Sequence, residues 1–129
     1  MGPLIVFVTR ADYEAMHLGL SAALAAVSTG RKVELFFFWF ALERLAKGRM
    51  VEADVRPDIA DLMERRQVPT LKELYTQVRG SGLATCFACS GSVASMGLTP
   101  GDIEPHVDAL IGWVSILQRT SGAADRLTF

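Results

Sequence analysis

Residues 4–38 read LIVFVTRADYEAMHLGLSAALAAVSTGRKVELFFF. The first five side chains are apolar and partly β-branched, which predicts a strand that is covered on both faces. Asp12 is a predicted N-cap, and apolar side chains then recur at helical spacing until Gly30. A second apolar strand is predicted at residues 32–38. Strand, helix and strand in this order predict a βαβ unit whose two strands are parallel.

The rest of the chain continues to alternate strand and helix patterns. Further strands are predicted at residues 83–87, 106–110 and 124–129. Helices are predicted at residues 39–47, 58–66, 70–80, 89–96 and 113–120, and a turn at residues 99–102. This alternation predicts an α/β fold, with a mostly parallel sheet of about five strands and helices on both faces. We expect residues 1–129 to form a single domain.

The segment at residues 48–68 is the least regular part of the chain. It is charged and contains Pro57, and we interpret it as a surface excursion that serves as a lid or as an interface arm. The next helix is predicted to begin at a capping box, with Thr70 as the N-cap and Glu73 three residues later.

Composition excludes several classes of protein. The chain has 129 residues, of which 50% are hydrophobic and 21% charged, and its net charge of -1 argues against a broad nucleic-acid site. The most apolar stretch, residues 33–42, contains Glu34 and is shorter than the roughly 20 residues that cross a bilayer. The start of the chain shows no basic segment typical of a signal peptide. Two cysteines form no disulfide framework, which favours a cytoplasmic location.

Both cysteines lie in residues 84–98, which read ATCFACSGSVASMGL. Cys86 falls within the predicted strand, and Cys89 falls where the strand gives way to a helix of small residues. Free N–H groups and the helix dipole at such a position stabilise a thiolate, the nucleophilic form of cysteine. We therefore predict Cys89 as the reactive residue, with Cys86 as a companion that resolves or protects it.

Ligand sites in parallel sheets collect beyond the carboxyl ends of the strands, where three predicted loops converge. Arg10 would supply a second positive charge, and Trp39 and Phe40 would form walls of a thiol pocket. Gly91 would let a partner approach the backbone closely. The remaining supporting residues are Ser90 and Ser92, which either donate hydrogen bonds in the site or cap the helix.

Other chemistries fit the sequence less well. The spacing of Cys86 and Cys89 is that of a dithiol redox pair, but thioredoxin-type motifs follow the first strand rather than a late one. Zinc would need His17 and His106 as ligands, and each is isolated in its own segment. Residues 80–82 lack the spacing and the lysine of a phosphate loop. We predict no metal and no cofactor.

Several segments together resemble a known family. They are FWFALERL at residues 38–45, PTLKEL at 69–74, Ala88-Cys89 with Ser92, MGL at 96–98, and DRLTF at 125–129. Their order and spacing resemble the DsrE-type branch of the DsrE/DsrF-like sulfur-relay family, over nearly the whole chain. The middle segment differs, because it is short and charged where related proteins often carry a longer Met-rich insertion.

The resemblance implies a small α/β fold that forms homo-oligomers, often trimers or hexamers. It also implies that Cys89, eight residues before Gly97, carries sulfane sulfur as a persulfide, while Cys86 lies outside the shared pattern. The implied partners are other sulfur carriers, TusA-like and rhodanese-like proteins. The function expected from it is an intracellular, sulfurtransferase-like sulfur carrier. The alternatives are a non-catalytic oligomeric subunit or interaction protein of the same fold, and a Cys86–Cys89 dithiol redox protein.

Overall fold

Five parallel strands form one sheet in a computed structural model that describes residues 2–129. In chain order the strands are β1 (Leu4–Val8), β2 (Val33–Phe37), β3 (Ala84–Cys89), β4 (Ala109–Ile111) and β5 (Asp125–Thr128). Their order across the sheet is β4-β3-β2-β1-β5, and every neighbouring pair is parallel. The predicted α/β class and five-stranded sheet are confirmed.

The helices that connect the strands lie close to their predicted positions. They are α1 (Tyr13–Ser28), α2 (Trp39–Ala46), α3 (Pro57–Arg65), α4 (Leu71–Gly80), α5 (Ser90–Ser95), α6 (Pro100–Ile103) and α7 (Trp113–Thr120). The predicted turn at residues 99–102 is wrong, because Thr99 and Asp102 form a capping box that begins α6. The strand predicted at 106–110 begins only at Ala109, after a 3₁₀ turn at Glu104–His106. The box predicted for Thr70 is half formed, since its hydroxyl accepts from the backbone N–H of Glu73.

The larger core lies between the sheet and the helices α1 and α4. Alternate side chains of β1, such as Val6 and Val8, point to this side, and Met16 and Leu20 of α1 cover them. The alternation follows from the pleat of a strand, which sends successive side chains to opposite faces. We call this side of the sheet the first face.

The second face carries a smaller and more aromatic core. Phe36 and Phe87 stack there with ring centroids 4.9 Å apart, and Phe38 stacks on Trp113 of α7 at 5.1 Å. Ile116 of α7 is fully buried in the same cluster. The helix α7 is eight residues long, so it covers the second face less extensively than α1 and α4 cover the first.

The connections that leave β3 and β4 run to opposite faces of the sheet. The chain passes from β3 into α5, whose Val93 belongs to the larger core. It passes from β4 into α7, whose Ile116 belongs to the smaller core. Neighbouring parallel strands with diverging connections leave a crevice between their carboxyl ends, where ligands of open α/β sheets bind. In this fold the crevice lies between β3 and β4.

The irregular excursion is fastened to the domain by a buried arginine that sequence reasoning missed. Arg44 of α2 is 1% exposed. Its guanidinium donates to the backbone carbonyls of Ala11, Arg49 and Glu52 and to the carboxylate of Asp54. Because several acceptors converge on one cation, the loop between α2 and α3 is held against the loop after β1.

No helix among residues 2–129 is both long enough and apolar enough to cross a membrane.

Candidate functional site at the end of β3

Cys89 occupies the position that the sequence predicts for it. It is the last residue of β3 and the N-cap of α5. Its partner across the sheet is Ile111, the last residue of β4. Cys89 therefore lies at the crevice between β3 and β4.

The side chain of Cys89 is buried in the smaller core. It is 2% exposed, and it belongs to the cluster formed by Phe38, Phe87 and Ile116. Gly91 is exposed, and a Cβ atom placed on it would lie 3.8 Å from the sulfur of Cys89. That distance is an ordinary van der Waals contact, so any side chain at this position would add cover over the sulfur. Gly91 is thus the thin part of the wall around Cys89.

The loops after β3 and β4 are in close contact. A Cβ atom placed on Gly112, the N-cap of α7, would lie 3.4 Å from the hydroxyl oxygen of Ser90. Ser92 lies in the first turn of α5 and is buried. The capping role considered for the two serines is wrong, because Cys89 holds the N-cap position, both serines lie inside α5, and α5 has no side-chain cap.

The predicted aromatic walls are replaced by a neighbouring residue. Trp39 and Phe40 are 50% and 59% exposed, whereas Phe38 packs in the cluster that holds Cys89. The backbone of Trp39 has a φ of 46°, a left-handed conformation that is strained for a bulky residue. This sharp change of direction turns Trp39 and Phe40 outward and leaves Phe38 pointing into the second face.

Arg10 is not brought to Cys89. Its guanidinium lies 2.9 Å from the carboxylate of Asp12, and its side chain is exposed. The strand β2 separates β1 from β3, which puts the ends of β1 and β3 about 10 Å apart at the usual spacing of strands. The suggested second positive charge at the thiol therefore has no support in this geometry.

Cys86 lies on the opposite face of β3, in the larger core. Burial raises the pKa of its thiol to about 11. Its backbone N–H donates to the carboxylate of Asp108 at 2.7 Å. Cys86 is therefore a neutral, enclosed thiol at physiological pH.

A disulfide between the two cysteines is incompatible with an intact β3. Both thiols are free. Three residues of a strand span about 10 Å, and a disulfide requires Cα atoms within about 7 Å. The dithiol alternative and the resolving role suggested for Cys86 would both require the central part of the sheet to come apart.

The two histidines lie on separate elements. His17 lies on α1, with its Nδ1 atom 3.3 Å from the hydroxyl of Ser21, and His106 lies in the 3₁₀ turn. His106 is half-buried. Within residues 2–129, no group of three or more His, Cys, Asp or Glu side chains is placed to hold a metal ion.

An apolar surface surrounds the start of α2 and the outer side of α7. Its side chains are all at least half exposed: Trp39, Phe40, Trp113, Val114 and Leu117. The stack of Phe38 on Trp113 joins the two parts. We call these five residues the exposed apolar surface. The α7 residues were missed as functional candidates, although the spacing of Val114 and Leu117 places them on a different side of a helix from Ile116.

Comparison with protein-family models gives no match, and comparison with curated proteins gives none either. Among solved structures, the chain is similar to the protein of unknown function MTH1491 from Methanobacterium thermoautotrophicum, with a TM-score of 0.61 and 12% identity over 100% of both chains. At this identity the likeness concerns the fold, and it extends over the whole chain.

Proposed function

We propose that the protein is a cytoplasmic sulfur carrier that holds sulfane sulfur as a persulfide on Cys89. The observation that carries the proposal is the position of Cys89, at the carboxyl end of β3, at the N-cap of α5 and beside the crevice between β3 and β4. The sequence resemblance to DsrE-type sulfur-relay proteins supports the same residue.

The proposed chemistry is two displacements at sulfur. The Cys89 thiolate attacks the outer sulfur of a donor persulfide, a new S–S bond forms, and the donor thiolate leaves as the old S–S bond breaks. An acceptor thiolate then attacks the outer sulfur on Cys89 and releases the Cys89 thiolate. Sulfane sulfur moves from donor to acceptor, and the pair of displacements needs no external oxidant or reductant.

The surroundings of Cys89 suit a carrier that must protect its cargo. Phe38, Phe87 and Ile116 enclose the sulfur in apolar side chains, which keep water and competing nucleophiles away from a persulfide. Gly91 supplies the side of approach, because the wall lacks a side chain there. We propose that donor and acceptor thiols reach the sulfur over Gly91.

The exposed apolar surface is the proposed contact for partners. Trp39 and Phe40 follow the carboxyl end of β2, and Cys89 lies at the carboxyl end of the neighbouring parallel strand β3. Aromatic residues are enriched in protein interfaces. We propose that TusA-like or rhodanese-like sulfur carriers dock at the carboxyl ends of these strands. We also propose that α7 contributes to the interface of a homo-oligomer, a trimer or a hexamer.

The test is sulfur loading of matched variants. The parent, Cys89→Ala and Cys86→Ala are incubated with a small persulfide donor, and the mass of the intact chain is measured before and after reduction. We expect one reducible sulfur atom per chain on the parent and on Cys86→Ala, and none on Cys89→Ala. Equal loading of Cys89→Ala and the parent would overturn the assignment.

A second candidate function is that of a non-catalytic subunit or interaction protein. It is favoured by the combination of an enclosed Cys89 and large exposed apolar side chains, among them Val114 at 73% exposure. Titration of the native protein with a thiol reagent separates the two functions. Reaction of one thiol in the folded state supports the carrier, and reaction of neither supports the interaction protein.

A further inference from the structure

A cavity of about 590 Å³ lies between α2, α4 and the 3₁₀ turn. Leu45 and Tyr75, which line it, belong to the larger core, so the cavity lies on the first face of the sheet. Cys89 packs on the second face. The cavity is therefore separate from the proposed sulfur site, and its size is that of a site for a small molecule.

The lining combines an apolar floor with positive charge. Leu45, Met50 and Val51 are aliphatic or thioether side chains, and Lys72 and Arg79 are cations. The other lining residues are Gly48, Tyr75, Thr76, Gly80 and His106. None of these residues is acidic, although the whole chain has 14 acidic and 13 basic residues. The lining of the cavity thus carries two cations and no carboxylate.

The cations retain capacity to bind an anion. Among residues 2–129, Lys72 forms no ion pair. Arg79 lies 3.4 Å from the carbonyl of Pro105 and 3.5 Å from the carboxylate of Asp108, distances at which hydrogen bonds are weak. Both side chains can therefore turn donors toward a negatively charged ligand.

The cavity is also rigid on the side of α4. The Tyr75 hydroxyl donates to the carbonyl of His106 at 2.5 Å, and its ring meets Phe37 edge to face at 5.5 Å. The backbone N–H of Lys72 donates to the carbonyl of Met50 at 2.8 Å. These bonds join three chain segments around the cavity, so its shape exists before any ligand binds.

We propose that this cavity binds a small organic anion, in which an apolar and preferably flat body carries one carboxylate, sulfonate or phosphate group. The body packs on Leu45, Met50 and Val51 beside the Tyr75 ring, and the anionic group faces Lys72 and Arg79. A buried apolar body with a few charged contacts is the usual composition of a small-molecule site.

The test uses two fluorescent compounds that differ in charge. Anilinonaphthalene sulfonate has a flat apolar body and one sulfonate, and phenylnaphthylamine has the same body without the charge. We expect the folded protein to bind one sulfonate molecule per chain and to bind the neutral compound several-fold more weakly. Competition by benzoate, but not by inorganic phosphate, would show that the cavity recognises both the apolar body and the negative charge of its ligand.

Two variants locate the binding. In Lys72→Met the anion should bind about threefold to fivefold more weakly, the usual effect of losing one partly exposed charge contact. In Gly80→Leu the new side chain should fill the cavity and remove most binding. Apart from its chain neighbours and the backbone of its own helix, no heavy atom of residues 2–129 lies within 4 Å of a Cβ atom placed on Gly80, so this variant should keep its fold, which near-ultraviolet circular dichroism checks.

Three control variants complete the test. Lys32→Met makes the same charge change outside the cavity, and Phe40→Ser removes part of the exposed apolar surface. Neither should change the affinity for the sulfonate compound. Cys89→Ala should also bind normally, which keeps the outcome independent of the sulfur-carrier function. Equal binding by Gly80→Leu and the parent, or equal affinity for the charged and neutral compounds, would overturn the proposal, as would no binding at all.

Discussion

Cys86 and Cys89 project from opposite faces of β3, Cys86 into the core under α1 and α4 and Cys89 into the core under α7. Successive side chains of a strand alternate between its two faces, so two residues that are three apart in any regular strand point to opposite faces. What reads as a dithiol motif in the sequence is thus a pair of thiols in different environments. One is a packing residue, and the other ends a strand at the crevice between β3 and β4.

We expect no disulfide between these cysteines while the protein is folded. A mild thiol oxidant applied to the native protein should leave both thiols titratable after the oxidant is removed and the chain is unfolded. The same oxidant applied to the unfolded chain should consume both thiols, because the strand no longer separates them. Loss of both thiols in the native protein without any dimer would contradict the strand geometry.

Cys86 should make the stability of the protein depend on pH in the alkaline range. Burial raises the pKa of its thiol from 9.0 to about 11, so the folded state keeps a proton that the unfolded chain loses from pH 9 upward. The free energy of unfolding should therefore fall as pH rises from 9 to 11, by about 2 kcal/mol. Urea unfolding at several pH values should show this decline in the parent and a smaller one in Cys86→Ala.

Gly91→Ala should make the protein more stable and Cys89 less reactive. Alanine within a helix stabilises by about 0.5–1 kcal/mol relative to glycine, and the new methyl group would lie 3.8 Å from the sulfur. The rate of alkylation of Cys89 should fall, while the urea midpoint rises. Gly101→Ala makes the same change in α6, away from the thiol, and should leave the alkylation rate unaltered.

Arg44→Met should destabilise the protein and loosen the excursion between α2 and α3. The change leaves the carbonyls of Ala11, Arg49 and Glu52 without their donor, and we expect a loss of about 2–4 kcal/mol. Limited proteolysis should cut first between residues 48 and 56. Arg56→Met serves as the control, since its ion pair with Asp58 is exposed at both ends and should contribute less than about 1 kcal/mol.

Local patterns predicted the elements of this fold well. The run at residues 4–8 and the amphipathic segment at 113–120 match β1 and α7, because burial on one or both sides leaves a periodic trace in the sequence. The position of Cys89 at the start of a helix was predicted on another ground, because an apolar run gives way there to small residues. Arg44 was missed, since a charged residue within a short helix is ordinarily exposed, and its acceptors come from loops without any pattern.

The composition of the site could be predicted only in part. The order of strands depends on pairing between distant segments, so no local pattern indicates that Ile111 lies beside Cys89 or that Gly112 meets Ser90. Arg10 was predicted to lie near the thiol of Cys89, because both residues come at the ends of strands, but β2 lies between those two strands. Trp39 and Phe40 were predicted as walls of the thiol pocket instead of Phe38. The left-handed backbone at Trp39, which turns these two residues outward, leaves no trace in side-chain periodicity.

The most direct test of the sulfur-carrier function follows a labelled sulfur atom through one cycle. The parent protein is loaded with isotopically labelled sulfane sulfur, freed of donor, digested without reduction, and examined by peptide mass spectrometry before and after addition of an acceptor thiol. Before the acceptor is added, we expect the label to be assigned to Cys89 within its peptide. After the acceptor is added, we expect the label to appear on the acceptor as a persulfide. Label on Cys86, or label on Cys89 that the acceptor thiol does not remove, would contradict the proposed function.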